Sequence, residues 1–427
     1  MLNYCLTKVD LITKFAKIIL KKMIPFSPPF MNEEVIAEVT DALRSGWITT
    51  GPKTKSLEKI VAEYVSVNNV LCLNSATAGL ELMLRWFGVK EGDEVIVPVY
   101  TYSATANVVM HCGAKPVMVD VSSTDFNINI EKIKKAITEK TKAILPVDFA
   151  GYPCDYDAIN KLINEDEIKL KFNASNEVQK KLGRIIVISD AAHSLGAYYK
   201  GKRTGSLCDA TVFSFHAVKN LTTAEGGALC INLPKPFINE EIYKSIYISS
   251  LHGQTKDALA KTQKGAWEYD IIEAGYKCNM PDISAAIGIA QFKYYEPIIL
   301  PRRKKIFEQY NAIFEKQEWA ITPKYFENDT ISSFHVYPLR IKNISIEQRN
   351  EIIQKIFDKD VSVNVHFKPL PLLSVYKNAG YQIENYPTAM QLFSSEISLP
   401  VFADLNDEML KLVTDAVIVS VNEVLMK

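Results

Sequence analysis

Neither sign of charge dominates this 427-residue chain: 49 Lys and Arg stand against 49 Asp and Glu, with no long block of either. A partner held by bulk charge, nucleic acid foremost, is thereby excluded, while a local basic pocket for a phosphate stays open. No apolar run reaches the roughly 18 residues that a membrane-spanning helix needs, so no integral membrane segment is expected. The seven cysteines (Cys5, Cys72, Cys112, Cys154, Cys208, Cys230 and Cys278) are odd in number, widely spaced and contain no C-x-x-C pair. That spacing argues against a zinc ribbon or a disulfide framework and for a reducing, cytoplasmic setting. Internal repeats and low-complexity tracts are lacking too. What is there, at 48% hydrophobic and 23% charged residues, is a globular chain long enough for two or three domains.

Residues 1–22 interleave lysines with a helical stripe of Leu11, Phe15, Ile18 and Ile19, and no small-residue cleavage site follows, so a secretory signal is not expected. They read as an N-terminal extension ahead of a natural beginning at Met23; the alternative is a surface-seeking amphipathic helix. From Val70 to Asn232 short β-rich runs alternate with helical or loop segments. The runs are Val70–Leu73, Glu94–Val97, Lys115–Val119, Ala143–Val147, Ile185–Ser189, Ala210–Phe215 and Ala228–Ile231. Seven runs in this rhythm predict an α/β fold, with one large domain built on a mainly parallel sheet covered on both faces. Between the first two, Leu80, Met83, Leu84 and Phe87 fall at helical spacing and Gly88 closes the segment. Residues 160–183, rich in Lys and Glu, read as a surface insertion, a helical pair. From Glu296 onward a long helical pattern, the strand-like FHVYPLRI and VSVNVHF, and a final helix over Asp407–Met426 suggest a smaller α+β domain joined to the sheet by few contacts. The expected division is therefore 1–22, 23–295 and 296–427.

Three islands carry the chemistry, each immediately after a predicted strand, where open α/β sheets form their ligand crevice. In NSATAGL (74–80) a strand feeds small residues into a helix start, whose free N–H groups at Ala76 and Thr77 can hold a phosphate, unless Ser-Ala-Thr is an ordinary cap. In SDAAHSLG (189–196) Asp190 ends an apolar strand, and a carboxylate there needs a cationic partner such as a protonated pyridine nitrogen. A helix-capping Asp, or a metal pair with His193, are the other readings; no second His/Asp/Glu cluster lies close in sequence to complete a metal site. In SFHAVKNLTTAEGG (214–227) Lys219 sits in a largely neutral loop where desolvation can remove its charge and ready it for a Schiff base, and Ser214 can bond the same phosphate.

The same residues resemble the DegT/StrS family of pyridoxal-phosphate-dependent nucleotide-sugar aminotransferases, of the fold type I architecture. The likeness runs in order through IPFSPPF (24–30), GWITTGPK (46–53), NSATAGLELML, GDEVIVPVYTYSAT (92–105), GAKPVMVDV (113–121), DFAGYPCDYDAI (148–159), DAAHSLGA, SFHAVKNLTTAEGGAL, GYKCNMPDISAAIGIAQ (275–291), HFKPL (366–370) and ISLPVFADL (397–405). It implies pyridoxal 5′-phosphate as cofactor, Lys219 as the lysine attached to it, and Asp190 as partner of its ring nitrogen. It further implies Ala76, Thr77 and Ser214 at the phosphate, Tyr102 stacked on the ring and His193 near the phenolic oxygen. Thr49, Thr50, His335, His366 and Lys368 become substrate candidates. The activity implied is transfer of an amino group, glutamate being the expected donor, to a nucleotide-linked keto-sugar at C4 or C3, in a homodimer with shared active sites. Two departures stand out. Where many members read G-Y-N-x-R this chain has GYKCN, so that Lys277 or Asn279 is left to reach the neighbouring subunit's phosphate; Pro371 replaces a second histidine. GYKCN and the preceding LHGQTKDA (251–258) resemble the members that make UDP-4-amino-4-deoxy-arabinose. A sugar dehydratase, which carries histidine in place of Lys219, a non-catalytic cofactor-binding regulator and a metal hydrolase are the rival readings.

Overall fold

The seven apolar runs pair into one sheet. In this computed structural model, which describes residues 23–256 and 268–426, they become β1 (Asn69–Leu73), β2 (Glu94–Pro98), β3 (Lys115–Val119), β4 (Thr141–Ile144), β5 (Ile186–Asp190), β6 (Ala210–Ser214) and β7 (Gly227–Ile231). Residues 1–22 and the last two of LHGQTKDA lie outside the described residues. The strand order is β1-β7-β6-β5-β4-β2-β3. Only β7 runs antiparallel, to both its neighbours, and the other four pairings are parallel. Strands β5 and β7 are buried along their whole length, as expected when helices cover both faces of a parallel sheet. Helix α1 (Ala76–Trp86) follows β1 and sends Leu80, Met83 and Leu84, with Phe87 behind them, into the core.

Gly88 ends that segment at φ +79°, where a Cβ would lie 2.1 Å from the Asn176 amide nitrogen. Asn176 and Gln179 donate their side-chain amides to the Phe87 carbonyl at 3.1 and 3.0 Å. Residues 160–183 hold two short helices, Asp166–Lys171 and Glu177–Leu182, and these bonds tether the second of them to the end of α1.

A second core gathers around an antiparallel sheet of β8 (Ala320–Ile321), β9 (Tyr337–Ile341) and β10 (Glu396–Leu399). It is reached by two helices, α2 (Asp282–Tyr294) and α3 (Leu300–Phe314), joined by a π-turn at Tyr295–Ile299, and is covered by α4 (Ile346–Phe357) and α5 (Asp407–Leu425). FHVYPLRI supplies β9. VSVNVHF, in contrast, does not form a strand: only Val361 bridges Ile24 and Asn364 bridges Ser398 before the chain turns off through His366 to Pro369. Contacts with the large sheet are also richer than the sequence suggested. Leu370, Tyr376, Ala389 and Leu392 belong to the large core, and the Asp120 carboxylate, beyond β3, accepts the N–H groups of Thr388 and Ala389 at 3.0 and 2.9 Å. Ile24 conversely packs into the second core. Among the described residues no helix is long and apolar enough to cross a membrane.

The start of α2 fixes another element by its side chain. Buried Asp282 accepts the N–H groups of Gly51 (2.8 Å), Lys53 (3.0 Å) and Thr54 (2.9 Å) and the Thr54 hydroxyl (2.7 Å), capping the helix Pro52–Val65. Asp282→Ala would leave the buried N–H groups of Gly51 and Thr54 unpaired and is expected to cost about 2–4 kcal/mol. In urea unfolding the midpoint should fall with the slope unchanged; an unmoved midpoint would show that the cap carries no stability.

Candidate active site

Strands β1, β5 and β6 end at one side of the sheet, and their ends open onto a cavity of about 340 Å³. Asp190, the last residue of β5, turns its carboxylate toward it. Thr105 donates its hydroxyl to Oδ2 at 2.7 Å and the Ala192 N–H reaches Oδ1 at 3.3 Å. Burial pushes this carboxyl's pKa up, while those two bonds and the charge of Lys219 pull the other way. A buried carboxylate so weakly compensated favours a cation placed against it.

Lys219 faces the same cavity from the turn after β6, its N–H bonded to the His216 carbonyl at 2.9 Å. Burial lowers its ammonium pKa to about 8, against the opposing pull of Asp190. The neutral amine is the nucleophile, so modification of Lys219 by an aldehyde with borohydride should rise with pH through about 8, not near the 10.4 of an ordinary lysine. Mass spectrometric labelling against pH checks this, and a Lys219 profile that tracks the surface lysines would refute the shift. The next residue, Asn220, is locked: its Nδ2 donates to the Ser333 carbonyl at 2.7 Å and its Oδ1 lies 2.8 Å from His335 Nδ1.

The start of α1 forms another wall. Ser75 accepts the Ala78 N–H at 3.1 Å, whereas the N–H groups of Ala76 and Thr77 take no partner among the described residues and line the cavity. Strand β7 can approach this helix start because it begins with glycine: a Cβ on Gly227 would lie 2.5 Å from the Ala76 nitrogen. Ser214 lines the cavity from the end of β6. Such a helix start, with free donors and the positive end of its dipole, suits an anion.

Three imidazoles close the remaining side. His193 is buried and packs 5.8 Å from the Phe367 ring and 4.3 Å from that of His335. Its Nδ1 takes no partner among the described residues. Burial, aided by the charge of Lys219, holds the pKa of His193, His335 and His366 below the usual value, so all three are neutral. Tyr102 stands at the rim, 65% exposed.

Nine candidates therefore meet at one cavity: Ala76, Thr77, Tyr102, Asp190, His193, Ser214, Lys219, His335 and His366. Five do not line it. Thr50 is buried and donates to the Met280 carbonyl at 2.6 Å while accepting from the Asn279 amide at 2.5 Å; Thr49 adjoins it, its carbonyl accepting the Asp282 N–H. Lys277 pairs through its backbone with Leu251, and Lys368 is exposed beside Phe367. Sequence reasoning overlooked Thr105, which holds Asp190, although it ends the quoted PVYTYSAT; it overlooked Asn220, beside Lys219, and Phe26, whose ring stacks on His366 at 5.6 Å. The residues fit a pyridine ring bearing a phosphate and an aldehyde. Anion donors lie at α1, a carboxylate at Asp190, an amine at Lys219, and the unpartnered His193 nitrogen supplies a buried polar atom still to be satisfied.

Comparison with known proteins agrees with this geometry. A putative sugar aminotransferase of Streptococcus pneumoniae, Spr1654, solved in its PMP form, is 47% identical with a TM-score of 0.90, the match covering 94% of this chain and 100% of that one. Helicobacter pylori PseC, an aminotransferase involved in the biosynthesis of pseudoaminic acid, is 26% identical with a TM-score of 0.81 over 94% of this chain and 100% of its own. The spore coat polysaccharide biosynthesis protein SpsC of Bacillus subtilis is 36% identical over 399 residues, 92% of this chain and 96% of that protein. With the family profile matching from residue 29 to residue 418, the chain belongs to the DegT/DnrJ/EryC1/StrS aminotransferase family.

Proposed function

We propose that the chain is a pyridoxal-phosphate-dependent sugar aminotransferase that moves an amino group from glutamate to a nucleotide-linked keto-sugar, at C4 in preference to C3. Its product would enter lipopolysaccharide, other glycan or amino-sugar synthesis in the cytoplasm. The observation that carries this is that Lys219, its pKa lowered by burial, shares one cavity with Asp190 and the helix start at Ala76 and Thr77. When bound, the cofactor supplies an electron sink that eases loss of a proton from the carbon bearing the amino group.

The chain's own residues do the rest. Ala76, Thr77 and Ser214 bind the phosphate, Tyr102 stacks on the ring, and Asp190 keeps a proton on the ring nitrogen. His193 offers its unpartnered nitrogen to the phenolic oxygen. Lys219 anchors the cofactor, takes the proton from the amino donor's α-carbon as a general base and delivers it to the acceptor carbon. His335, His366 and the exposed Lys368 face the sugar nucleotide. Lys277 or Asn279, which lie away from their own chain's cavity, would reach the cofactor phosphate of the partner subunit in a homodimer, and Thr49 and Thr50 would contribute to substrate binding. Residues 23–295 would form the cofactor domain and 296–427 the smaller one.

The test is to incubate the enzyme with glutamate and a panel of keto-sugar nucleotides and to locate the new amine by NMR. Amination at C4 of a nucleotide-linked 4-keto-sugar is expected. Turnover confined to simple keto acids would overturn the substrate reading.

A further inference from the structure

Behind His366, on the side away from the cavity, lies a buried polar pair on the small sheet. Ser398 Oγ sits 2.9 Å from His366 Nδ1 and 2.5 Å from Glu396 Oε1, and Glu396 Oε2 accepts the His366 backbone N–H at 3.1 Å. Glu396 and Ser398 are fully buried. One carboxyl thus grips both the backbone and, through Ser398, the ring of a residue that lines the cavity. Among the described residues His366 Nε2 takes no partner, and it is the ring nitrogen left for a ligand.

The ring is neutral, so it carries one proton, and the serine hydroxyl has only one to give. If Glu396 is ionised, Ser398 must donate to it, its lone pair then faces Nδ1, and Nδ1 has to carry the ring proton. Nε2 is left bare, an acceptor. If Glu396 is protonated, its hydroxyl donates to Ser398, Ser398 donates to Nδ1, and Nε2 carries the proton as a donor. We propose that Glu396 and Ser398 are positioning residues that set the tautomer of His366, so that a carboxyl outside the cavity decides whether the site offers a donor or an acceptor at Nε2.

Both states are within reach near neutral pH, because burial raises the pKa of Glu396 to about 8. Arg349 from α4, whose Nη1 donates to the Glu396 carbonyl at 3.1 Å, pulls that value down. Tyr100, beyond β2, faces the same carboxyl and stays neutral, its hydroxyl pushed well above its usual value by burial. Arg340 from β9 adds positive charge near Tyr100. On the cavity side burial, aided by the charge of Lys219, keeps the ring from taking a second proton, and His193, its ring 6.5 Å away, is itself neutral. Resting on the proposed function, the donor form suits an anionic oxygen such as a carboxylate or a phosphate, and the acceptor form turns it away while still taking a hydroxyl.

The test needs no substrate and so stands apart from the proposed function. In protein labelled with ¹⁵N-histidine, the His366 signals are identified by their loss in His366→Asn and followed from about pH 6 to about pH 10, two units either side of the Glu396 value. The wild type should shift from the pattern of an Nε2–H ring to that of an Nδ1–H ring across about pH 8. In Glu396→Gln the amide oxygen keeps the His366 N–H and the amide nitrogen donates to Ser398, so the ring should hold the Nε2–H pattern throughout. Ser398→Ala, a second and smaller change, should abolish the pH response. A wild-type tautomer that never changes, or one that still changes in either variant, would overturn the proposal.

Discussion

Lys219→Ala is expected to fold as the wild type does and to lose transamination. Among the described residues the side chain takes no hydrogen-bond partner, and its backbone N–H closes the turn to His216. Covalent attachment and proton transfer both need the amine; proton transfer alone contributes about 10²–10⁴-fold. Release of 2-oxoglutarate from glutamate should therefore fall by at least about a thousandfold, with circular dichroism and the unfolding midpoint unmoved. Turnover near wild type would remove Lys219 from the mechanism.

Asp190→Asn tests the other half of the site. The amide is nearly the same size, and the Thr105 hydroxyl can still donate to its oxygen, so the fold and cofactor retention should survive. An uncharged group cannot hold the ring nitrogen protonated, and the barrier to losing the α-proton should rise by about 3 kcal/mol, roughly a hundredfold in rate. Stopped-flow measurement of the glutamate half-reaction reads this directly, and an unchanged rate would make Asp190 a structural residue.

The large sheet was legible because parallel strands buried on both faces read as continuous apolar runs, and all seven runs pair within one sheet. Asp190 and Lys219 were legible for a related reason: Asp190 ends an apolar strand, Lys219 sits in the largely neutral loop after another, and a charged group so placed is costly unless it is used. VSVNVHF misled because β-branched alternation looks the same whether or not a partner strand is available; here only Asn364 finds one, on Ser398. The docking of residues 370–392 on the large core was hidden because its anchor, Asp120, lies some 270 residues away in the sequence. Thr105 and Asn220 were illegible as functional residues for the same reason. Their partners, Asp190 and His335, are 85 and 115 residues distant, and a hydroxyl or amide in a loop gives no local sign of what it bonds.

The central claim, that this cavity is an aminotransferase site built around one lysine, is tested most directly by borohydride reduction of the pyridoxal-phosphate-loaded protein followed by peptide mapping. The cofactor should be fixed, one per chain, on the peptide that contains Lys219 and on no other lysine. Label spread over surface lysines, or a peptide around Lys219 recovered unmodified, would contradict the account.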